Sequence, residues 1–288
     1  MSGCLGNPGV TELQRVMPAP EQFAANLAMM FSDSPFLARF DRAAAAGFRA
    51  VEISTPELFS FAAADVGAAA RAAGVSVALF NMPPGENAGM ASLPGCEATF
   101  EASVDTTLEY CAATGCPAVH CMAGNLPADA TAEVVARYRT TYLDNLRKVN
   151  QKFAANGVLA CLEPLNPRMM PNYFLKSNDM AAEIISELGN LSNIRLQFDF
   201  YHTQIICGDV TMQFRKHMDI VGHVQIAGVP DRFEPDDTQE LNYSFVLSEL
   251  DRLGWTGRIG CEYTPRDGAI CTEKGMGWLK QYGVSPKM

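Results

Sequence analysis

The stretch VLACLEPLN, Val158 to Asn166, reads as a buried strand that ends in a carboxylate. Apolar residues run straight into Glu163, and Pro164 follows, which cannot donate to a strand ladder. A core strand carries an ionisable group at its end where that group meets water, a partner or a ligand. The pattern recurs downstream: NIRLQFDFYH (Asn193 to His202) delivers Asp199, VGHVQIAG (Val221 to Gly228) delivers Gln225, and RIGCEY (Arg258 to Tyr263) delivers Glu262. Upstream lie four further β-like runs, FAANLAMM (Phe23 to Met30), AVEIS (Ala50 to Ser54), SVALFN (Ser76 to Asn81) and AVHCMAG (Ala118 to Gly124).

Between these runs lie helical patterns, with apolar residues recurring about every 3.6 positions. FLARFDRAAAAG ends at Gly47, TAEVVARYRTTYLDNLRKVNQKFAANG at Gly157 and NYSFVLSELDRLG at Gly254, and each glycine suits a helix stop. Strict alternation of apolar strands with helices predicts a parallel sheet covered by helices. Eight such units predict an α/β fold of one (β/α)8 barrel, with its active site at the C-terminal ends of the strands. No GxGxxG follows the first run and no P-loop occurs, which argues against an open nucleotide-binding sheet. Residues 1–20, MSGCLGNPGVTELQRVMPAP, are rich in Gly and Pro without periodicity; a flexible leader is expected there and a single domain over 21–288.

The formal net charge of −10 argues against nucleic acid and anionic membrane surfaces as partners, because like charges repel. It leaves room for a small anionic substrate held by one local cation. The nine cysteines form no CxxC pair and mostly sit inside apolar runs, as expected in a reducing cytoplasmic compartment. None has a recognisable base partner, so thiol nucleophilic catalysis is not expected.

Glu163, Asp199, Gln225 and Glu262 fall one per consecutive strand end, where side chains can converge on the barrel mouth. Clustered carboxylates repel one another and lose hydration when buried, so they need a cation or shared protons. Three carboxylates and an amide oxygen are hard ligands, suited to Mg²⁺ or Mn²⁺. His202, expected at a strand end, and Arg232, the cation of the acidic loop PDRFEPDD, are candidate substrate contacts. Glu234 is expected to position Arg232 or its loop, and His223 to lie deeper than Gln225. His120 is read as core or pocket, Asn81 and Asn166 as supporting donors or turn residues, Met169 and Met170 as pocket lining or packing, and His217 as a surface residue.

LEPLN, QFDFYH, GHVQIA with its Arg-containing loop and IGCEY together resemble the hydroxypyruvate isomerase family, within the xylose-isomerase-like TIM barrels. The resemblance extends through ANLAMMF, FLARFDRAAAAGFRAVE and NMPPG, over roughly residues 21–280. Glutamine in GHVQIA separates it from related ketose epimerases, which carry histidine there. The resemblance implies that Glu163 and Glu262 carry protons between adjacent carbons while touching the metal. Asp199 and Gln225 would complete the metal site, His202 and Arg232 would contact substrate, and the chain would tend to homo-oligomerise. Hydroxypyruvate and tartronate semialdehyde (2-hydroxy-3-oxopropanoate) are the implied pair. A longer keto-sugar or sugar-acid isomerase or epimerase is the alternative, followed by a non-catalytic sugar-binding barrel.

Overall fold

The computed structural model describes residues 17–189 and 191–286. Eight parallel strands, β1 (Phe23–Asn26), β2 (Ala50–Ile53), β3 (Ser76–Asn81), β4 (Ala118–His120), β5 (Leu159–Leu162), β6 (Ile194–Asp199), β7 (Val221–Ile226) and β8 (Ile259–Cys261), close in chain order, with β8 pairing back onto β1. The helices are α1 (Ala38–Ala45), α2 (Ala63–Ala73), α3 (Glu97–Thr114), α4 (Ala132–Asn156), α5 (Asn178–Glu187), α6 (Phe200–Ile206), α7 (Val210–His217), α8 (Tyr243–Arg252) and α9 (Thr272–Gly275). The expected (β/α)8 barrel is therefore the fold.

Strand alternation divides the core in two. Phe23, Val51, Ile53, Phe80, Leu162, Phe198, Val224 and Ile226 belong to one large apolar cluster with the helices. Away from that cluster, Ala24, Ala50 and Ala78 form one small cluster and Leu79, Ala118 and Cys161 another. Above them the lining turns polar: Asn26 pairs in register with Glu52, Gln197 with His223, and Asp199 with Gln225. Polar groups thus fill the upper barrel interior.

Local chemistry sets several boundaries. The first strand stops at Asn26 rather than Met30, because the Asn26 side chain accepts from Ala28 N–H at 3.1 Å and its carbonyl accepts from Met29 and Met30. Thr131, Ser177 and Asn242 cap α4, α5 and α8 by accepting from Val134, Met180 and Phe245 amides. Gly157 ends α4 in the left-handed region at φ 67°. Gly47, at φ 102°, lets the C-terminal segment approach, since a Cβ there would overlap the Ser285 backbone.

Of the expected leader, residues 1–16 lie outside the described residues. Met17 packs against the core, and Gln22, just past it, donates to the Trp255 and Gly257 carbonyls at 3.1 and 3.2 Å. His217 departs from expectation, being buried between α7 and α5 with Nε2 2.8 Å from Asp179 Oδ1. Lys216 beside it takes the solvent-facing position on the same carboxylate. Among the described residues no helix is long and apolar enough to cross a membrane.

Glu249 ties α8 to α7. Its buried carboxylate accepts from Arg252 and Arg215, and those two guanidiniums push it down to about 2. A depressed carboxyl contributes stability above its unfolded value near 4.5 and loses it as pH falls toward 2. Both guanidiniums are partly solvated, so screening reduces the contribution to about 1 kcal/mol. Urea titrations of Glu249→Gln should show that loss at neutral pH and a flatter stability profile between those limits. An unchanged acid limb would remove this pairing from the account.

Candidate active site

Of the site residues expected from the sequence, Glu163, His202, Arg232 and Glu262 line a cavity at the C-terminal mouth, Asp199 lies beside Glu163 and His202, and Gln225 is buried against Glu52 and Gln197. Glu163 and Glu262 each follow directly on their strands, β5 and β8, while Asp199 closes β6 and Gln225 lies on β7 beside it. Glu163, His202, Arg232 and Glu262 line one cavity of about 250 Å³ with His120 and Met169. Asn81 and Met170 also line it. A neighbouring lobe of about 280 Å³, walled by Pro56, Phe59, Met82 and Pro84, shares Ser54, Asn81, Ala88 and Met122 with that cavity. The shared wall depends on Gly89, at φ 123°, where a Cβ would overlap the Met122 carbonyl.

His202 is not on a strand end. Asp199 Oδ1 accepts from the Tyr201 and His202 amides at 2.6 and 3.3 Å, which caps and starts α6 immediately. His202 therefore sits in the first helical turn, and its ring returns to the mouth. Its Nδ1 accepts from the Asn166 backbone N–H at 3.0 Å and faces Asn166 Nδ2 at 2.8 Å. An amide can only donate, so the neutral ring carries its hydrogen on Nε2. Burial, then the charge of Arg232, holds His202 well below an ordinary histidine, which keeps it neutral. Its Nε2–H lies 3.7 Å from Asp199 Oδ2 and 3.9 Å from Glu163 Oε1, a donor position rather than a lone pair.

The other oxygen of Glu163 lies beside His120, with Nδ1 3.2 Å from Oε2. His120 ends β4 and lines the cavity, so its pocket reading holds; burial pushes it down to about 3 and keeps it neutral. Arg232, at φ 61° in its loop, donates from Nη2 to Glu262 Oε2 at 2.8 Å and approaches Asp199 Oδ2 at 3.6 Å. The Tyr201 ring supports the guanidinium face at 5.1 Å. Glu234 does not touch substrate space: its carboxylate accepts the Arg266 amide at 3.1 and 3.2 Å and ties two mouth loops together.

The carboxylates are crowded. Burial, followed by Glu262 and Asp199, raises Glu163 well above the ordinary carboxylate range. Burial raises Glu262 to about 7, with Arg232 pulling the other way and Glu52 and Asp199 adding to the rise. Asp199 is also raised by burial, against Arg232 and the two amides it caps. Glu163 Oε1 and Asp199 Oδ2 are buried without a hydrogen-bond partner among the described residues. Glu163 and Asp199 bring carboxylate oxygens within 4.8 Å of one another, with His202 beside them, so the two carboxylates could hold a metal ion while His202 offers its N–H alongside. Two bare carboxylate oxygens aimed at one point, beside a guanidinium that serves mainly Glu262, fit a divalent cation.

Sequence reasoning missed Glu52 and Asn26. Glu52 is fully buried beneath the cluster, where it meets His223, Gln225 and Asn26. Asn26 also donates to Glu262 Oε1 at 3.3 Å. The available signal was a carboxylate at an inward position of AVEIS, flanked by Val51 and Ile53. His223 lies deep, as expected. The thiols of Cys121 and Cys161 are pushed up to about 12 by burial, which suits packing rather than nucleophilic attack.

Comparison with known proteins agrees with this geometry. A 2-oxo-tetronate isomerase of Cupriavidus necator is 48% identical over 265 residues, covering 91% of this chain and 98% of its own. A Homo sapiens protein named "Putative hydroxypyruvate isomerase" is 37% identical over 271 residues, covering 92% and 96%. A crystal structure described as an AP endonuclease, family 2, from Brucella melitensis superposes with a TM-score of 0.85 at 38% identity, covering 92% and 99%. Residues 40–282 match the family described as xylose isomerase-like TIM barrel. With most of its length matched and its carboxylates gathered at the mouth of a closed eight-stranded barrel, the chain belongs to the xylose isomerase-like TIM barrel family.

Proposed function

We propose that this protein is an isomerase that moves the carbonyl group between C2 and C3 of a short hydroxylated 2-oxo acid, with Mg²⁺ or Mn²⁺ as cofactor. The observation that carries this reading is the pair of oxygens on Glu163 and Asp199 that have no hydrogen-bond partner among the described residues, near the His202 N–H and beside Glu262 and Arg232. Glu163, Asp199, Gln225 and Glu262 would hold the ion. When bound, it supplies positive charge that polarises the C2 carbonyl and favours the enediolate.

The remaining chemistry falls to the chain. One of the two glutamates removes the C3 proton, and the C3–H electron pair becomes the C2–C3 double bond. The other returns a proton to C2, on a strand three places around the barrel. The C3 hydroxyl proton passes to the C2 oxygen, so atoms and charge balance. The His202 Nε2–H donates to a substrate oxygen, and Arg232 is the cation available to the substrate carboxylate. His120 flanks the Glu163 carboxylate in the same cavity.

The four-carbon 2-oxo-tetronate is the favoured substrate, with hydroxypyruvate the shorter alternative. Both present the same reacting carbons; the larger acid replaces one C3 hydrogen with a hydroxymethyl group. The second lobe, with Ser54 and Asn81 at its junction, gives that group a place, and relatives named 2-oxo-tetronate isomerase support the choice. NMR of both acids with the Mn²⁺-loaded protein tests it. A kcat/KM ratio of about tenfold or more toward the four-carbon acid is expected, as for one extra group filling a fitted pocket. Preference for hydroxypyruvate reverses the assignment, and conversion of neither acid removes the isomerase reading.

A further inference from the structure

We propose that Glu52 is a positioning residue that sets which atom Gln225 presents to the cation site, an inference that rests on the metal reading above. The Glu52 carboxylate lies across the barrel interior, fully buried, against β8. Gly260 makes the space: a Cβ there would overlap Oε1, Cδ and Oε2 of Glu52. Three donors meet this carboxylate, His223 Nε2, Gln225 Nε2 at 3.0 Å and Asn26 Nδ2 at 3.3 Å.

The chemistry of the partners removes the ambiguity of the two amides. Asn26 Oδ1 accepts from the Ala28 N–H at 3.1 Å and from Ser54 Oγ at 3.0 Å, so its NH₂ faces Glu52 and Glu262. A carboxylate accepts only, so Gln225 must turn its NH₂ toward Glu52. Its carbonyl oxygen is then directed away from Glu52, where Gln197 Nε2 donates to it at 2.6 Å and one lone pair remains. Were Gln225 reversed, two acceptors would oppose one another in a buried site and a cation would face an N–H. Glu52 thus fixes Gln225 directly and Glu262 through Asn26, two of the four residues assigned to the ion.

The test is Mn²⁺ titration of the chelator-stripped full chain, followed by EPR of the free ion. Glu52→Gln puts a donor amide opposite Gln225 and lets its side chain reverse, so Mn²⁺ affinity should fall about 10–100-fold, as for other partners that orient metal ligands. The double variant Glu52→Gln with Gln225→Glu should recover most of the loss, because the new carboxylate at 225 offers oxygens both ways and accepts from the amide at 52. A merely structural role would give no such rescue. If Glu52→Gln does not fold, Gly260→Ala displaces the same carboxylate and should lower the affinity likewise. Wild-type affinity in the folded single variant overturns the assignment, as does a loss that the double variant leaves unrepaired. A wild-type protein that binds no Mn²⁺ instead overturns the metal reading itself.

Discussion

Glu163→Gln and Glu262→Gln should each lower kcat by about 10²–10⁴-fold at saturating metal, the range for removing a positioned proton-transfer group. That is a barrier increase of about 3–5 kcal/mol. The amides keep the shape of the carboxylates, and at 262 the amide oxygen can still accept from Arg232, so substrate affinity should change far less than turnover. Solvent deuterium separates the two roles. The variant that keeps the first base should still exchange the C3 hydrogen while failing to isomerise, whereas loss of that base stops both. Turnover within tenfold of wild type in both variants would sink the two-glutamate mechanism. Their environments already differ: Glu163 lies beside a neutral histidine, whereas Glu262 accepts from a guanidinium and an asparagine amide.

Stripping the protein with a chelator should abolish turnover by about 10³-fold or more, since a bound ion supplies several kcal/mol of charge stabilisation. Adding Mg²⁺ or Mn²⁺ should restore it. Glu52, Glu163, Asp199 and Glu262 lie buried, and among the described residues the guanidinium paired with this cluster is that of Arg232, against Asp199 and Glu262. Without a second cation, Glu163 stands well above the carboxylate range and Glu262 near 7, so protons occupy the site. Loading a divalent ion must then release them. Calorimetry in buffers of different ionisation enthalpy should detect proton release near pH 6.5, smaller above pH 8 as Glu262 ionises by itself. Full turnover in protein verified to be metal-free would overturn the cofactor assignment, and binding without proton release would contradict the crowding.

The barrel was legible because its evidence is local and repeated. Each strand run is a short apolar segment, and several of the helices between them end at a glycine, so repeated local signals agree. The carboxylates were legible for a related reason: a charged residue at the end of an apolar run stands out against its neighbours. His202 illustrates the limit. DFYH reads as the tail of a strand, yet Asp199 accepts the amides of Tyr201 and His202 and turns the chain into a helix at once. The side chain still reaches the mouth, but from a different backbone, and only that geometry reveals which ring nitrogen carries the hydrogen.

His217 and Glu52 failed for the opposite reason, since their environment comes from residues far away in the chain. A histidine beside a lysine on a helix looks solvated until Asp179 on another helix covers it. Glu52 looks like one polar residue in a short strand until β7 and β8 bring His223, Gln225 and Gly260 around it. The amino-acid sequence by itself determined the strand–helix alternation and the oxygen-bearing residues late in the apolar runs, because periodicity and residue chemistry are properties of neighbours. The tertiary structure alone decided the partners: which oxygens remain bare, which amide faces which way, and how far the cavity extends. Barrel closure joins the first strand to the last, and no local pattern encodes the contacts made across its interior.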